Sequence, residues 1–477
     1  MRNLFLVSAA LLLSACAAGP DYETPELELP EQFSEAPPPG VSEDPPTTVR
    51  NLWDSLGDEQ LTELIDTALI ENTTIRQALA TLNETRALSG LAVYSLFPTV
   101  NTTAEYERNT ISQEDPFAFP GQDTVERYRA GFDAVWEIDF FGSLRRQAES
   151  FRYLVEADEA SAHAVRLAII AEVAQTYFRW QGEVIRLQVL EDNRSNQADS
   201  VAILEAGLNA GRNTAFDVAR SRAVLAQISA ALPTAEAAIK QSIQRLSALT
   251  GTPSQELYDR LAAPASLPML PQLQTVGAPT AWLARRPDIM AAERRLASAT
   301  ADIGVATAEY YPKVQLLGDF GWTGVESGAI GRGSAERSRF APTISWRILD
   351  FGRVRQQAIA AEARADGAFA AFEETWLLAL EETENALVTY SAVTERLARL
   401  DVAAGEAGEA ARLAELRFSA GIDNYIQVLD AERTRIELED LLAQAYIDRG
   451  TSLAALYKAL GGDFAEAALP DAQLSGR

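Results

Sequence analysis

Histidine and cysteine, two residue types that often do chemistry at protein sites, occur only once each in this chain of 477 residues, as His163 and Cys16. Most metal sites need several such ligands, and the common nucleophile systems need a histidine beside the nucleophile. A lone cysteine also excludes an intramolecular disulfide. The residue types therefore argue against an enzyme, and no catalytic residue, metal site or bound cofactor is expected.

Cys16 directly follows a segment that is typical of secreted proteins. One arginine, an apolar run over residues 4–13 and two small residues precede it. The pattern predicts a signal peptide over residues 1–15, too short for a stable membrane anchor. LSAC resembles the lipobox of bacterial lipoproteins, in which the cysteine becomes the acylated first residue. A covalent lipid on Cys16 is expected, and the alternative is an ordinary signal peptide cut near Ala17 or Ala18. By the same resemblance, Ala17 after the cysteine favours sorting to the outer membrane.

The charge balance limits the partners of the chain. It has 41 basic and 68 acidic residues, a formal net charge of −27, and no basic stripe, so nucleic acid is excluded as a partner. No later stretch reaches about 18 consecutive apolar residues, so we expect any membrane-spanning part to be a β-barrel. Residues 16–50 are rich in proline and acid and predict an extended tether.

The second half of the chain repeats the first. WEIDFFGSLRRQA from Trp136 returns as WRILDFGRVRQQA from Trp346, an offset of 210 residues. Pro98 and Pro312 also match, at an offset of 214, so a loop between these landmarks differs in length. The chain is predicted to be a tandem duplication of one unit: helix, strand, loop, strand, long helix, turn, helix. The first repeat is expected over 51–261, with a strand hairpin at about 98–139 and a tip near 211. A linker follows over 262–285, then the second repeat over 286–464, with a hairpin at about 312–350 and a tip near 421, and a tail over 465–477.

Four segments alternate between two faces as strands do. In RYRAGFDAVWEID, Tyr128, Phe132 and Trp136 share one face, while Arg129 and Asp133 share the other. Strands of about 10 residues are long enough to span a lipid bilayer, but four strands cannot close a barrel alone. Unpaired strand edges do not occur in lipid. Several chains must therefore share one barrel. The alternative is a soluble sandwich with one wet face.

A very long helix is predicted in each repeat. From Ser143 to about Asn209 there is no proline and there are two glycines, which allows roughly 100 Å of helix at 1.5 Å per residue. Compact domains do not contain helices of that length. Alanine recurs at helical spacing in both repeats, which permits close helix packing. An ordinary coiled-coil stalk is the alternative for this feature.

These features together resemble the TolC-type outer-membrane efflux family, and within it the lipoprotein branch of OprM/NodT-like outer-membrane factors of tripartite RND drug pumps. The marks that carry the resemblance span almost the whole chain: LSACAAGPDY at Leu13, ARRPDIMAAERRL at Ala284, YPKVQL at Tyr311, WRILDFGRVR at Trp346, AGIDNYIQVLDAER at Ala420 and LYKALGG at Leu456.

The resemblance implies a mixed, mostly α fold. A homotrimer would form a 12-stranded outer-membrane β-barrel, with four strands from each chain, and a 12-helix periplasmic α-barrel. It also implies a periplasmic adaptor and an inner-membrane RND-type pump as partners, contact with outer-membrane lipid, and the outer membrane as location. The expected function is export of drugs or other small toxic compounds through a conduit that the adaptor and pump open.

By the same resemblance, the tip turns carry the sites. Adaptor hairpins would dock at one tip around Ala210, Gly211 and Arg212, and at the other around Ala420, Gly421 and Ile422. The family places acidic constriction residues at positions that Asp217 and Asp430 occupy here. Where some members have a second acid, this chain has Gln427.

The symmetry of a trimer would bring three copies of Asp430 together near one axis, where like charges must be neutralised or bind a cation. Arg220 occupies the position in the first repeat that Asp430 holds in the second. We hypothesise that Arg220, with or without Arg212, pairs with Asp430, Asp423 or Asp217 to hold the gate shut. The alternative is that these are solvated charges on helix faces.

Other functions remain open on the sequence. A type I-like conduit for polypeptide secretion would share the fold, and a purely structural periplasmic stalk would share the helices. A passive porin would lack helices of this length.

Overall fold

The computed structural model of the chain describes residues 17–25, 53, 56–110, 112, 114, 124–261 and 285–462. The expected signal peptide over 1–15, Cys16, residues 26–50 of the tether, the linker up to residue 284 and the tail over 465–477 lie outside the described residues.

Helices make up most of the described chain, and four strands make up the rest of its regular structure. The α-helices, in chain order, are α1 Glu59–Glu71, α2 Thr73–Tyr94, α3 Ser143–Asn209, α4 Ala215–Thr250, α5 Ser254–Arg260, α6 Pro287–Ala308, α7 Arg353–Ser419 and α8 Tyr425–Ala459. The strands are β1 Thr99–Thr110, β2 Thr124–Ile138, β3 Lys313–Gly324 and β4 Glu336–Ser345. Helices α3 and α7 each have 67 residues, the length that the proline-free run predicted for α3.

The chain divides into two compact units. The first unit comprises residues 1–26, 81–159 and 291–373 and contains the sheet. The second comprises residues 27–80, 160–290 and 374–477 and contains helices. No described helix is both long enough and apolar enough to cross a membrane.

The sheet of the first unit has the strand order β1-β2-β3-β4, and every neighbouring pair is antiparallel. The prediction of four strands in the chain is confirmed. Strand β4 ends at Ser345, short of the limit near 350 that the sequence suggested. Ser345 lies opposite Lys313, the first residue of β3, so the residues after Ser345 have no strand of this chain opposite them on that side.

The core of the second unit is built on large side chains of α3. Tyr177 and Trp180 are almost fully buried, and they pack in one apolar cluster with residues of α1, α4, α7 and α8. The Tyr177 hydroxyl donates to Asp58 Oδ2 at 2.8 Å. Asp58 is also the N-cap of α1, where its side chain accepts from the Leu61 amide, so one carboxylate ties the start of α1 to the core.

Two glycines bring α3 and α8 into close contact within this core. A methyl group at Gly450 would lie 2.7 Å from the Phe178 Cβ, and one at Gly182 would collide with the Ile447 side chain. Each glycine thus faces a bulky residue of the other helix. This close contact explains why glycine, which usually destabilises a helix interior, occurs at both positions.

We expect Gly450→Ala to destabilise the protein by about 1–3 kcal/mol, because the added methyl overpacks the contact with Phe178. Gly405→Ala is the control, since a Cβ at this helical glycine of α7 would have nothing within 4 Å. It should be neutral or stabilise by about 0.5–1 kcal/mol. Thermal unfolding followed by the helical circular dichroism signal compares the two variants. Equal melting temperatures would contradict the packing argument.

Candidate functional site

Two turns of the second unit carry the residues that the sequence assigned to docking. Turn 1 joins α3 to α4 over residues 210–214, and turn 2 joins α7 to α8 over residues 420–424. Each contains a glycine with left-handed backbone, Gly211 with φ of 72° and Gly421 with φ of 73°. Their amides donate at 2.9 Å to the carbonyls of Leu208 and Phe418. Both helices therefore end at a left-handed glycine turn, which few other residues form without strain.

The expected docking residues are all exposed. This holds for Ala210, Gly211 and Arg212 of turn 1 and for Ala420, Gly421 and Ile422 of turn 2. Ile422 is an apolar side chain with 65% of its surface exposed.

Turn 1 is fixed by a capping box. Asp217 Oδ2 accepts from the Thr214 amide at 2.9 Å and from the Thr214 hydroxyl at 2.6 Å, and the Asp217 amide donates to the Thr214 hydroxyl oxygen at 3.2 Å. These bonds lower the pKa of the Asp217 carboxyl. Asp217 thus stabilises the start of α4, a role that the sequence reasoning missed although the Thr-Ala-Phe-Asp spacing is a capping signal.

Turn 2 uses different chemistry. The N-cap Asn424 makes no side-chain cap hydrogen bond. Instead Arg417 Nε donates to Asp423 Oδ2 at 2.5 Å, and Arg417 Nη2 to Asp423 Oδ1 at 3.3 Å. These hydrogen bonds lower the pKa of the Asp423 carboxyl. The hypothesis offered Arg220 or Arg212 as partners of Asp423, whereas within the described chain its partner is Arg417. An offset of 210 aligns Arg417 with Gly207, so the repeat gave no signal for this pair.

An apolar cluster behind the turns joins the two hairpins. Its buried members are Leu204, Val218, Tyr425, Val428 and Leu429. The rings of Phe418 and Tyr425 meet edge to face, with centroids 5.3 Å apart. Residues of α3, α4, α7 and α8 therefore pack together near the turns.

The remaining gate candidates point away from that cluster. Gln427 and Asp430, three residues apart on α8, are exposed, and Arg220 is partly exposed on α4. Within the described part of one chain, no ion pair of 4.0 Å or less joins Arg220 or Arg212 to Asp217, Asp423 or Asp430. A pairing of Arg220 with Asp430 or Asp217 stays a prediction, and it would have to form between protomers.

The chain thus combines one antiparallel sheet of four strands, two from each repeat, with one helix of 67 residues in each repeat. This combination defines an outer-membrane channel protein of the TolC type. The model of the family described as outer membrane efflux protein matches residues 64–252 and 278–462, one range for each repeat. The chain belongs to the outer membrane efflux protein family.

Similar proteins cover nearly the whole chain. The outer membrane protein OprJ of Pseudomonas aeruginosa is 30% identical over 472 residues, which cover 98% of this chain and 97% of OprJ. The solvent efflux pump outer membrane protein SrpC of Pseudomonas putida is 28% identical over 460 residues, 95% of this chain and 97% of SrpC.

Solved structures give the same result. The outer-membrane channel OprN has a TM-score of 0.84 and 34% identity, and the match covers 94% of this chain and 99% of that one. The open state of the Neisseria gonorrhoeae MtrE outer membrane channel has a TM-score of 0.81 and 26% identity, with 94% and 98% covered. The expected fold class is confirmed: the chain is one protomer of a trimeric TolC-type channel, mostly helical, with four strands. It is an outer-membrane efflux channel, of a family of channel proteins and not of enzymes.

We expect Asp217→Asn to loosen the start of α4 by about 0.3–1 kcal/mol, the usual contribution of a carboxylate in the first turn of a helix, because Asp217 is the N3 residue that accepts from the N-cap Thr214. Because the folded state lowers the pKa of Asp217, the carboxylate stabilises the turn above the pKa it has when unfolded. That contribution is lost as the pH falls through the lower, folded pKa, so wild type and variant should converge in acid.

Amide hydrogen exchange of the first turn of α4 measures the effect at neutral pH, and helical unfolding at acid pH tests the convergence. Asp430→Asn is the control, since the Asp430 side chain makes no cap contact in the described chain. A variant that exchanges as slowly as wild type would contradict the capping role.

Proposed function

We propose that the chain exports drugs, solvents or other small toxic compounds as the outer-membrane component of a tripartite pump. The family match over both repeats carries the proposal, because the model of the outer membrane efflux protein family matches residues 64–252 and 278–462, most of the chain. Relatives that cover 95% or more of the chain are described as solvent, toluene and antibiotic efflux pump proteins. A periplasmic adaptor and an inner-membrane pump would complete the conduit, and the exposed turns 1 and 2 are where the adaptor would dock.

A gate near the turns would control this conduit. Asp430 supports the idea, because it is exposed on α8 beside the buried pair Val428 and Leu429 and has no cation within ion-pair distance in the described chain. Three symmetry-related copies near the axis would repel one another unless a cation or basic group neutralises them. Binding of the adaptor at the turns would separate the helices and relieve the constriction.

The gate is tested by conductance in a planar lipid bilayer. Purified wild-type trimer should show a small, cation-selective conductance, and Asp430→Ala should increase the conductance and reduce the cation preference. Glu437→Ala is the matched control, since Glu437 is another exposed acid two turns further along α8. An unchanged Asp430→Ala channel would move the gate elsewhere, and a folded wild-type trimer that does not conduct would overturn the channel function.

We also propose that Cys16 carries a lipid. The supporting observation concerns its neighbours, because the residues that follow Cys16 are bound to the first unit. The Ala18 amide donates to the Phe141 carbonyl at 2.9 Å, and Arg146 Nε donates to the Ala18 carbonyl at 3.2 Å. Gly19 lies so close to Gly304 that a Cβ on it would be 2.8 Å from the Gly304 amide nitrogen.

Charged and aromatic contacts continue this attachment. Arg146, whose side chain is 6% exposed, pairs with Asp21 at 2.6 Å. The Tyr22 hydroxyl donates to Glu293 Oε1 at 2.5 Å, and the Tyr22 ring meets Tyr153 edge to face. A segment held this firmly would keep an acyl chain on Cys16 beside the junction of β2 and α3.

The lipid proposal makes two measurable predictions about one segment. Metabolic labelling with palmitate should mark the wild-type protein and not Cys16→Ser. Asp21→Ala should leave labelling intact but make residues 17–25 more accessible to added protease, because the segment loses its ion pair with Arg146 and keeps the contacts of Ala18 and Tyr22. Glu23→Ala is the control, since Glu23 is exposed and makes no contact of this kind in the described chain. Unlabelled wild-type protein would refute the lipid, and a protease-resistant Asp21→Ala would refute the attachment.

A further inference from the structure

The two edge strands of the sheet carry an exposed apolar surface. Within the described residues, strands β1 and β4 each pair with another strand on one side only. Along β4 and the residues after it, exposure reaches 76% for Phe340, 70% for Ile344, 81% for Ile348 and 90% for Phe351. An edge of this kind offers unpaired amides and carbonyls to another strand.

The duplication supplies a template for the missing contact. The offset of 214 carries β1, Thr99–Thr110, onto the bounds of β3, Lys313–Gly324. The offset of 210 carries the β2 residue Val135 onto Ser345. Val135 pairs with Thr99, and Ser345 pairs with Lys313, so both hairpins have the same register under these offsets. Strands β2 and β3 come from different repeats and pair within the chain. Their register can therefore serve as a template for the pairing of β4 with β1 between chains.

In the trimeric channel the edge strand β4 of one protomer lies next to the edge strand β1 of its neighbour. We propose that these two strands pair in the register of the β2–β3 junction, and that Phe351 stacks on Phe97 across this seam. This inference rests on the trimeric channel assembly, and it adds the residues that close it. Within the chain, Trp136 lies opposite Leu316, Ala134 opposite Gly318 and Phe132 opposite Phe320. The matching seam pairs join Trp346 of β4 to Thr102 of β1, Ile344 to Ala104, and Pro342 to Tyr106.

The short end of β4 fits this seam. Residues 136–138 of β2 extend past its last partner on β1 and pair only with β3. Their equivalents, residues 346–348, would pair only with β1 of the neighbour, so they are not part of β4 in one chain. In the trimer, β4 should continue to Ile348.

An aromatic stack lies at one end of the β2–β3 junction. Phe141 stacks on Tyr311, with centroids 4.6 Å apart and planes 11° from parallel. The offsets convert this pair to Phe351 and Phe97, which are 90% and 61% exposed. The surroundings are alike, because the Trp136 indole donates to the Leu96 carbonyl at 2.9 Å and the Trp346 indole donates to the Tyr310 carbonyl at 3.0 Å.

One difference between the two sites is consistent with a partner that is on another chain. Phe351 has a φ of 55°, an uncommon value for a residue other than glycine, whereas Phe141 has no positive φ. We expect Phe351 to adopt the Phe141 conformation when the neighbour supplies Phe97.

The transferred register also matches the chemistry of the two strands. It places the apolar face of β4, with Pro342, Ile344 and Trp346, on the same side as Tyr106 and Ala104 of β1. The polar face follows, with Thr343 opposite Glu105 and Ser345 opposite Thr103. A slip by one residue would put polar side chains against apolar ones along the whole seam.

Cysteine cross-linking tests the register in outer-membrane vesicles. The seam variants are Thr103→Cys with Ser345→Cys, and Ala104→Cys with Ile344→Cys. Neighbouring pairs alternate between hydrogen-bonded and closer non-hydrogen-bonded positions, so the pair at a close position should oxidise to a covalent trimer. Thr103→Cys with Ile344→Cys is the off-register control, and its cysteines should point to opposite faces. The protein with Cys16 as its single cysteine gives the background.

A ladder of covalent dimer and trimer on non-reducing gels from an in-register pair supports the seam. A stronger ladder from the off-register control, or from Thr103→Cys with Thr343→Cys, overturns the register. No ladder from either in-register pair, in protein that migrates as a trimer under native conditions, also overturns it. Loss of conductance with an intact ladder would count against the proposed export function and leave the seam in place.

A double-mutant comparison tests the stack. Phe97→Ala and Phe351→Ala should each lower the temperature at which the trimer dissociates on native gels. The double variant should lose little more than either single variant, because both remove the same contact. Phe216→Ala, an exposed aromatic at the start of α4 with 66% exposure, is the control and should dissociate as wild type does. Fully additive losses, or no loss in either single variant, would overturn the stack.

Discussion

An unpaired strand edge is the constraint on which the rest of this chain depends. The sheet has two such edges, on β1 and β4, and each exposes a row of backbone amides and carbonyls. In lipid every unpaired group of this kind costs several kcal/mol, so the edges must meet partners. Because β1 and β4 come from different repeats, a copy of the chain can serve both edges at once. The duplication makes this possible, since one junction between repeats is already formed inside each chain.

The same duplication leaves the two turns chemically different. Turn 1 closes with a neutral hydroxyl and a carboxylate in a capping box, whereas turn 2 closes with the exposed pair of Arg417 and Asp423. An exposed ion pair contributes little to stability and weakens with salt, while the capping box satisfies backbone amides directly. Turn 2 should therefore reorganise more easily than turn 1, and it leads into α8, the helix that carries Asp430.

Local features of the sequence predicted the helices and strands, whereas contacts between residues distant in sequence could not be predicted from it. The bounds of α3 followed from the absence of proline between Ser143 and Asn209, and the strands followed from their alternation. Within one chain β4 ends at Ser345, before the expected hairpin limit near 350, and in the proposed seam the residues after Ser345 pair with another protomer. The binding of Asp21 to Arg146 joins residues 125 positions apart, and no periodicity signals such a pair.

The motif ARRPDI shows the same division. A proline followed by an acid is a local signal for the start of a helix, and α6 begins at Pro287. Arg286 pairs with the nearby Asp288, but its other partners are distant in sequence and could not be derived: Nη1 donates to the Ala459 carbonyl at 2.6 Å, and Nη2 pairs with Glu382 at 2.6 Å. Burial would raise the pKa of Glu382, but hydrogen bonds from Lys458 and Arg286 lower it, so the carboxylate stays charged.

Charged side chains are buried at two arginines in the body of the chain and exposed at the two turns. The guanidinium groups of Arg146 and Arg286 are buried, with only 6% of each side chain exposed, and each is held by two carboxylates, since a buried charge without a partner is costly. The charges at the turns are exposed, and pairs of that kind typically contribute less than about 1 kcal/mol. A docking partner can exchange contacts at the turns for its own at little cost, whereas the buried guanidinium groups of Arg146 and Arg286 cannot lose their partners so readily. Segments that move in regulated proteins come from the low end of local stability, and here that end is at the turns.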